Sequence, residues 1–124
     1  MKTATKEELA TKLGLPWVTV VNVLEPEAYK KIHIKGSISL PLRELEAGKW
    51  QDLDFTKELV VYCSSCDCNA SREAAKMLES KGMDVSAYEG GIKEWAEAGL
   101  PTEGNMSPKE YLQEKYGVKK PMEA

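Results

Sequence analysis

Residues 59–78 read LVVYCSSCDCNASREAAKML and place a strand, a loop and a helix in direct succession. The apolar run LVVY predicts a buried strand that ends at Cys63. After a short polar loop, an alanine-rich segment has the spacing of an amphipathic helix, with apolar residues at Ala74, Ala75, Met77 and Leu78. This strand–loop–helix unit is the centre of the predicted fold.

The loop of this unit contains all three cysteines of the chain, Cys63, Cys66 and Cys68. The first backbone N–H groups of a helix have no partner within the helix, and the helix dipole is positive at the same end. An anion at that position is stabilised, whether it is an oxyanion, a thiolate or a persulfide. The sequence therefore predicts an anion-binding loop that carries thiols.

The composition of the 124-residue chain is that of an ordinary globular domain, with 42% hydrophobic and 30% charged residues, and predicts one domain over residues 1–124. The net charge of −3 argues against a nucleic-acid-binding surface. We expect no membrane span, because no apolar run approaches about 18 residues, and no signal peptide, because residues 1–8 lack an apolar core. Three clustered cysteines favour reduced thiols, so we expect a cytoplasmic protein.

The chain alternates predicted strands and helices, which indicates a layered α/β fold with a mainly parallel sheet flanked by helices. Thr5 and Glu8 have the spacing of a helix capping box, and Ser107 with Pro108 predicts the start of an extra C-terminal helix. Residues 102–106 are predicted to form a linker, and residues 118–124 are expected to fray. The predicted strands cover residues 18–24, 37–40, 59–62 and 84–88, and the predicted helices cover residues 6–13, 26–29, 42–47, 71–80, 92–98 and 107–117.

Three blocks of the chain carry a family resemblance. Residues 21–29 and 33–38 read VNVLEPEAY and HIKGSI, residues 60–63 read VVYC with Ala74 and Ala75 behind them, and residues 88–95 and 98–101 read YEGGIKEW and AGLP. In this order and at these separations they resemble the rhodanese-like domain, over roughly residues 17–101. The resemblance implies a three-layer fold with a mainly parallel central sheet.

The resemblance also implies a chemistry. A cysteine of the family takes a sulfane sulfur from a donor such as thiosulfate, holds it as a persulfide, and passes it to a thiophilic acceptor. Cys63 matches that cysteine because the central strand ends there. The implied partners are a small sulfur-donor anion and a thiol or protein acceptor, with no cofactor, nucleic acid or membrane. The residues expected to form the substrate-binding loop are Ser64, Ser65, Asp67, Asn69, Ala70 and Arg72.

Two features depart from the family pattern. Asn22 and Leu24 stand where the family has an aspartate and an arginine. The family's usual loop places its cysteine nine residues before Ala74, where this chain has Ser65, whereas the strand end points to Cys63. The loop is therefore expected to be two residues longer than usual, which changes the shape of its pocket.

Cys68 and Cys66 leave alternatives open. Cys63 and Cys68 match a subgroup of the family with a second cysteine five residues after the first. Cys68, and less directly Cys66, is a candidate resolving or relay thiol. A non-enzymatic binding or redox-sensing module that uses a Cys63–Cys68 disulfide is the competing hypothesis.

Other motifs give weaker hypotheses. Residues 66–72 have the C-x5-R form of phosphatase loops, but in those enzymes the cysteine ends the strand, where this chain has Cys63. Residues 63–66 form a C-x-x-C motif before a helix, which is typical of a thioredoxin-like site, but the rest of the chain lacks that family's features. A structural zinc site needs four ligands, and the three cysteines supply only three, so no zinc site is expected. His33 is predicted to be a buried turn residue that donates hydrogen bonds. Trp17 and Trp95 are predicted to lie in the core.

Overall fold

The structure is a computed structural model, and it describes residues 1–117. Five parallel strands form the central sheet in the order β1-β6-β5-β2-β4, and β3 and β7 form a separate antiparallel pair. The strands are β1 (Lys2–Ala4), β2 (Val18–Asn22), β3 (His33–Ile34), β4 (Ile38–Ser39), β5 (Glu58–Tyr62), β6 (Val85–Tyr88) and β7 (Thr102–Glu103). The predicted layered α/β fold with a mainly parallel sheet is confirmed.

Helices cover both faces of the sheet. They are α1 (Lys6–Lys12), α2 (Pro26–Lys31), α3 (Leu42–Glu46), α4 (Ala70–Ser80), α5 (Gly91–Glu97) and α6 (Pro108–Tyr116), and a 3₁₀ helix spans Lys49–Asp52. Both predicted helix starts are confirmed as capping boxes. In α1, Thr5 and Glu8 hydrogen-bond reciprocally, and Ser107 and Glu110 do the same in α6.

The central strand β5 is buried on both faces, as its apolar run predicts. Leu59 and Val61 belong to a core cluster with residues of α3 and α4. Val60 and Tyr62 belong to a second cluster on the other face, with residues of α1, α5 and α6. Because β5 lies between β2 and β6, the loop after Tyr62 begins at the middle of the sheet edge.

Three strands differ from the sequence-based prediction. β1 pairs with β6, although residues 2–4 carry no strand pattern of their own. β7 pairs with β3 inside the segment predicted to be a linker. These short strands, β3 included, are stabilised by partners 84 and 70 residues away in sequence, at Lys2↔Ser86 and His33↔Glu103, so a local pattern cannot reveal them.

The two tryptophan predictions have opposite outcomes. Trp95 is fully buried, and its indole N–H donates to the carbonyl oxygen of Pro101 at 2.8 Å, as a core residue should. Trp17 is 58% exposed, so its predicted place in the core is wrong. It lies just before β2, where its backbone carbonyl accepts from the N–H of Glu58 while its ring faces outward.

No helix within residues 1–117 is long and apolar enough to cross a membrane. The predicted fraying of residues 118–124 lies outside the described residues.

Candidate functional site

A buried hydrogen-bond network holds the end of β5 in place. The Tyr62 hydroxyl lies 3.1 Å from the side-chain nitrogen of Asn22, 2.9 Å from the backbone nitrogen of Ile34 and 2.8 Å from the Ser37 hydroxyl. Asn22 and Ile34 can only donate there, and the Ser37 hydroxyl donates to the Ile34 carbonyl. The Tyr62 hydroxyl therefore accepts two hydrogen bonds and donates one to the Ser37 hydroxyl. Each of these buried polar groups has a partner, directly before Cys63 in the chain.

This network explains why Asn22 can stand where the family has an aspartate. Its side-chain oxygen accepts the backbone N–H of Leu24 at 2.9 Å, while its nitrogen donates to Tyr62. The Asn22 side chain is fully buried, and a neutral amide at that position needs no counter-ion. Loss of the charge pair is thus compensated by neutral hydrogen bonds.

The start of α5 anchors the first two residues of the loop. The N–H of Ile92 donates to the Cys63 carbonyl, and the N–H of Lys93 donates to the Ser64 carbonyl, both at 2.9 Å. Gly91 has φ +67°, and a Cβ there would lie 2.6 Å from the Ser64 carbonyl carbon. Only glycine allows this approach without displacement of the loop, which gives the Gly90-Gly91 turn of the sequence a role at the site.

The loop brings two of the three thiols together. Cys63 is fully buried, and its thiol donates to the carbonyl oxygen of Cys68 at 3.5 Å. Cys68 is half-buried, and its side chain interacts with that of Cys63. Cys66 is exposed and faces a separate open groove, lined in part by Tyr88 and Glu94.

The two neighbouring thiols have opposite electrostatics. Burial raises the pKa of Cys63, and the adjacent Cys68 raises it further. The backbone N–H and the hydroxyl of Ser71 lower this pKa, but their effect is smaller. Burial also opposes ionisation of Cys68. There, the neighbouring Cys63 side chain, together with hydrogen bonds from the N–H groups of Ala70 and Ser64 and from the Ser64 hydroxyl, outweighs burial and lowers the pKa of Cys68. The site therefore stabilises a thiolate at Cys68.

These contacts use the free end of α4 in the way that the sequence predicts. Asn69 precedes the helix, but its side chain makes no capping hydrogen bond to it. The first N–H groups of α4 instead interact with the thiols. The N–H of Ala70 interacts with the Cys68 sulfur, and the N–H of Ser71 interacts with the Cys63 sulfur. The helix N-terminus thus faces the two thiols.

Ser71 is a site residue that the sequence reasoning missed. Its side chain is fully buried, and its hydroxyl has no hydrogen bond of normal geometry among residues 1–117. It lies close enough to the Cys63 sulfur to lower the pKa of that thiol. Its polar character inside the buried face of an amphipathic helix was the signal that could have identified it.

Arg72 braces the outside of the loop. Its guanidinium donates to the Asn69 side-chain oxygen at 2.6 and 2.9 Å and to the Cys66 carbonyl at 3.4 Å, and it pairs with the Glu89 carboxylate at 3.3 Å. Its predicted position inside the helix is confirmed. All these contacts join the loop to α4 and to the end of β6.

Ser65 and Asp67, two further residues of the predicted substrate-binding loop, hydrogen-bond within that loop. The Ser65 carbonyl accepts the N–H of Cys68 at 3.0 Å, and the N–H of Asp67 points to the Ser65 hydroxyl at 3.4 Å. His33 lies on β3 and is half-buried, and its Nδ1 donates to the Tyr29 carbonyl at 2.7 Å. The predicted hydrogen bonding of His33 is confirmed, but its predicted place as a buried turn residue is wrong, because β3 pairs with the distant β7.

Comparison with known proteins decides the family. The family model of the rhodanese-like domain matches residues 5–98. The chain belongs to the rhodanese-like domain family. A crystal structure of a rhodanese-related protein from Thermoplasma volcanium has a TM-score of 0.76 to this rhodanese-like domain, at 30% identity, over 85% of this chain and 100% of that one.

Curated relatives of this rhodanese-like domain have several descriptions. It is 32% identical over 99 residues to an HTH-type transcriptional regulator of Mycobacterium tuberculosis, covering 80% of this chain and 43% of the regulator. It is 34% identical over 97 residues to the thiosulfate:glutathione sulfurtransferase of Saccharomyces cerevisiae, covering 68% of each. The chain thus spans less than half the length of the regulator and about two thirds of the yeast protein.

Proposed function

We propose that this protein is a sulfurtransferase that moves sulfane sulfur from a small anionic donor such as thiosulfate to a thiol or protein acceptor through a cysteine persulfide. The observation that carries the proposal is the pair of neighbouring thiols, Cys63 and Cys68, at the N-terminal end of α4. Free thiols in this role need a reducing compartment, so the proposal includes a cytoplasmic location.

The geometry supports each chemical requirement of sulfur transfer. Attack on a sulfur donor needs a thiolate, and the contacts of Cys68 lower the pKa of its thiol. The resulting persulfide is an anion, and the helix dipole with the N–H groups of Ser64 and Ala70 stabilises negative charge there. The yeast relative is a thiosulfate:glutathione sulfurtransferase, which supports thiosulfate as the class of donor.

The proposal is tested by incubation of the reduced protein with thiosulfate, followed by intact-protein mass spectrometry and a sulfite assay. We expect release of sulfite, because cleavage of the donor S–S bond leaves sulfite behind, and transfer of its sulfane sulfur to the loop thiols. The double variant Cys63→Ser/Cys68→Ser should release none. Absence of sulfite release from the reduced protein would refute the proposal.

The competing function is a redox-sensing module, and the proximity of Cys63 and Cys68 favours it as a second candidate. In that case an oxidant would join the two thiols, and thiosulfate would have no effect. The phosphatase hypothesis, which needs Cys66 and Arg72 to act together, lacks such support. Arg72 donates to the backbone carbonyl of Cys66, and the Cys66 side chain is exposed.

A further inference from the structure

The two neighbouring thiols differ in their access to a donor. Cys63 is fully buried, under the loop and behind the carbonyl oxygen of Cys68 to which it donates. Cys68 is only half-buried. A sulfur-donor anion that approaches from solvent therefore reaches the Cys68 sulfur first, although the end of β5 points to Cys63 as the nucleophile.

The donors around the two sulfurs are divided in the same way. The N–H groups of Ser64 and Ala70 and the Ser64 hydroxyl favour negative charge on the Cys68 sulfur, as does the adjacent Cys63 side chain. Cys63 instead interacts with the N–H and the buried hydroxyl of Ser71, and this hydroxyl has no hydrogen bond of normal geometry to any of residues 1–117. The contacts of the loop thus favour negative charge on the more accessible Cys68 sulfur over the buried Cys63 sulfur beside it.

Building on the sulfurtransferase function proposed above, we infer that Cys68 accepts the sulfane sulfur and that Cys63 then expels it as sulfide, which leaves a Cys63–Cys68 disulfide. The site would therefore release sulfide in addition to passing sulfur to an acceptor. This assigns separate roles to two thiols that the sequence alone does not rank in this order.

With thiosulfate as the donor, the reaction has two steps. The Cys68 thiolate attacks the outer sulfur of the donor, the donor S–S bond breaks, and sulfite leaves with the bonding pair, so that Cys68 carries a persulfide anion. Cys63 then attacks the Cys68 sulfur, a disulfide bond forms, and the outer sulfur leaves with the proton of Cys63 as hydrosulfide. A second class of reactant, a small thiol or a protein dithiol, reduces the disulfide and is itself oxidised to a disulfide.

Ser71 is the positioning residue in this scheme. Cys63 must lose its proton as it attacks, and burial resists formation of a thiolate there. The N–H and hydroxyl of Ser71 are the groups that favour negative charge on that sulfur. Ser71→Ala should therefore slow sulfide release more than it slows sulfite release, which depends on Cys68, and Ser71→Thr should restore part of the sulfide release.

The test is a single turnover of the reduced protein with thiosulfate and no added thiol, in which sulfite and sulfide are both assayed and the peptides are mapped by mass spectrometry. The unmodified protein should release sulfite and sulfide in about equal amounts and acquire the Cys63–Cys68 disulfide. Cys63→Ala and Cys63→Ser should release sulfite only and retain the extra sulfur on Cys68. Cys68→Ala and Cys68→Ser should release neither.

Three results would overturn the inference while the sulfurtransferase proposal survives. The first is a persulfide on Cys63 in the folded Cys68 variants, with sulfite still released. The second is sulfide release that persists in the Cys63 variants and disappears in Cys66→Ser, since Cys66 would then be the resolving thiol. The third is a stable persulfide and no sulfide in the unmodified protein. No sulfite from the unmodified protein would refute the proposed function itself. Circular dichroism verifies that each variant is folded.

Discussion

At the scale of single residues, Tyr62 has the largest structural role beside the thiols. Its hydroxyl is the common partner of Asn22, Ile34 and Ser37 inside the protein. Tyr62→Phe would leave these buried groups short of partners, and we expect a loss of about 1–3 kcal/mol in the free energy of unfolding. Urea unfolding measures this loss. Tyr29→Phe is the control, because Tyr29 is partly buried and its hydroxyl donates to the Ser37 carbonyl. A smaller loss of stability in Tyr62→Phe than in Tyr29→Phe would contradict the prediction.

The same residue predicts a dependence of stability on alkaline pH. Burial raises the pKa of Tyr62 to about 12, from an ordinary value of 10.0. The folded protein therefore holds the proton more tightly than the unfolded chain. This contribution is complete below about pH 10 and is lost as the pH rises towards about 12, and two pKa units correspond to about 3 kcal/mol.

Urea unfolding of the native protein and of Tyr62→Phe, measured in parallel across this range, checks the prediction. The native protein should lose stability more steeply than the variant, because other groups titrate in both. Burial raises the pKa values of Tyr88 and Tyr111 as well, and their contribution has the same sign in both proteins. Parallel pH profiles for the two proteins would contradict the role given to Tyr62.

At the scale of elements, the contact between α5 and the loop can be tested at Gly91. An alanine there has the strain of a positive φ, about 1 kcal/mol or more, and its Cβ would collide with the backbone of Ser64. We expect Gly91→Ala to reduce both stability and sulfur transfer from thiosulfate, because the loop must move away from the Ile92 and Lys93 N–H groups. Sulfite release and urea unfolding are the two measurements.

Gly99→Ala is the matched control for this prediction. Gly99 has φ +72°, close to that of Gly91, but a Cβ there would meet no atom within 4 Å among the described residues. It should lose stability through backbone strain alone and keep its sulfite release. Equal sulfite release from both variants would show that the α5 contact does not position the loop.

At the scale of the whole molecule, the strand order predicts where the fold opens first. β5 is paired on both sides, and the side chains of Leu59, Val60, Val61 and Tyr62 are fully buried. β1 has one neighbour, and two of its three residues are exposed. Native-state hydrogen exchange should find that β5 amides exchange only with global unfolding, whereas β1 opens at a lower free energy. Faster exchange in β5 than in β1 would contradict this order.

Much of the fold follows from local patterns. The strand before Cys63, the helix after Asn69, the capping box of α1 and the start of α6 at Ser107 depend on residues within one or two turns, so the sequence predicts them closely. The expectation that the N-terminus of α4 stabilises negative charge follows as well, because every helix N-terminus has free N–H groups. The family resemblance adds the fold and a class of chemistry from three short blocks.

By itself, the sequence determined the α/β alternation, the central strand and the loop that carries three thiols, since each of these is a property of neighbouring residues. Only the tertiary structure decided the pairing of β1, the outward position of Trp17 and the approach of Gly91 to the loop. It also separated the thiols, with Cys63 buried, Cys68 in contact with it and Cys66 in another groove. The physical reason is that burial and hydrogen bonding at a sulfur depend on groups from elements far apart in the chain, which no local pattern of residues records.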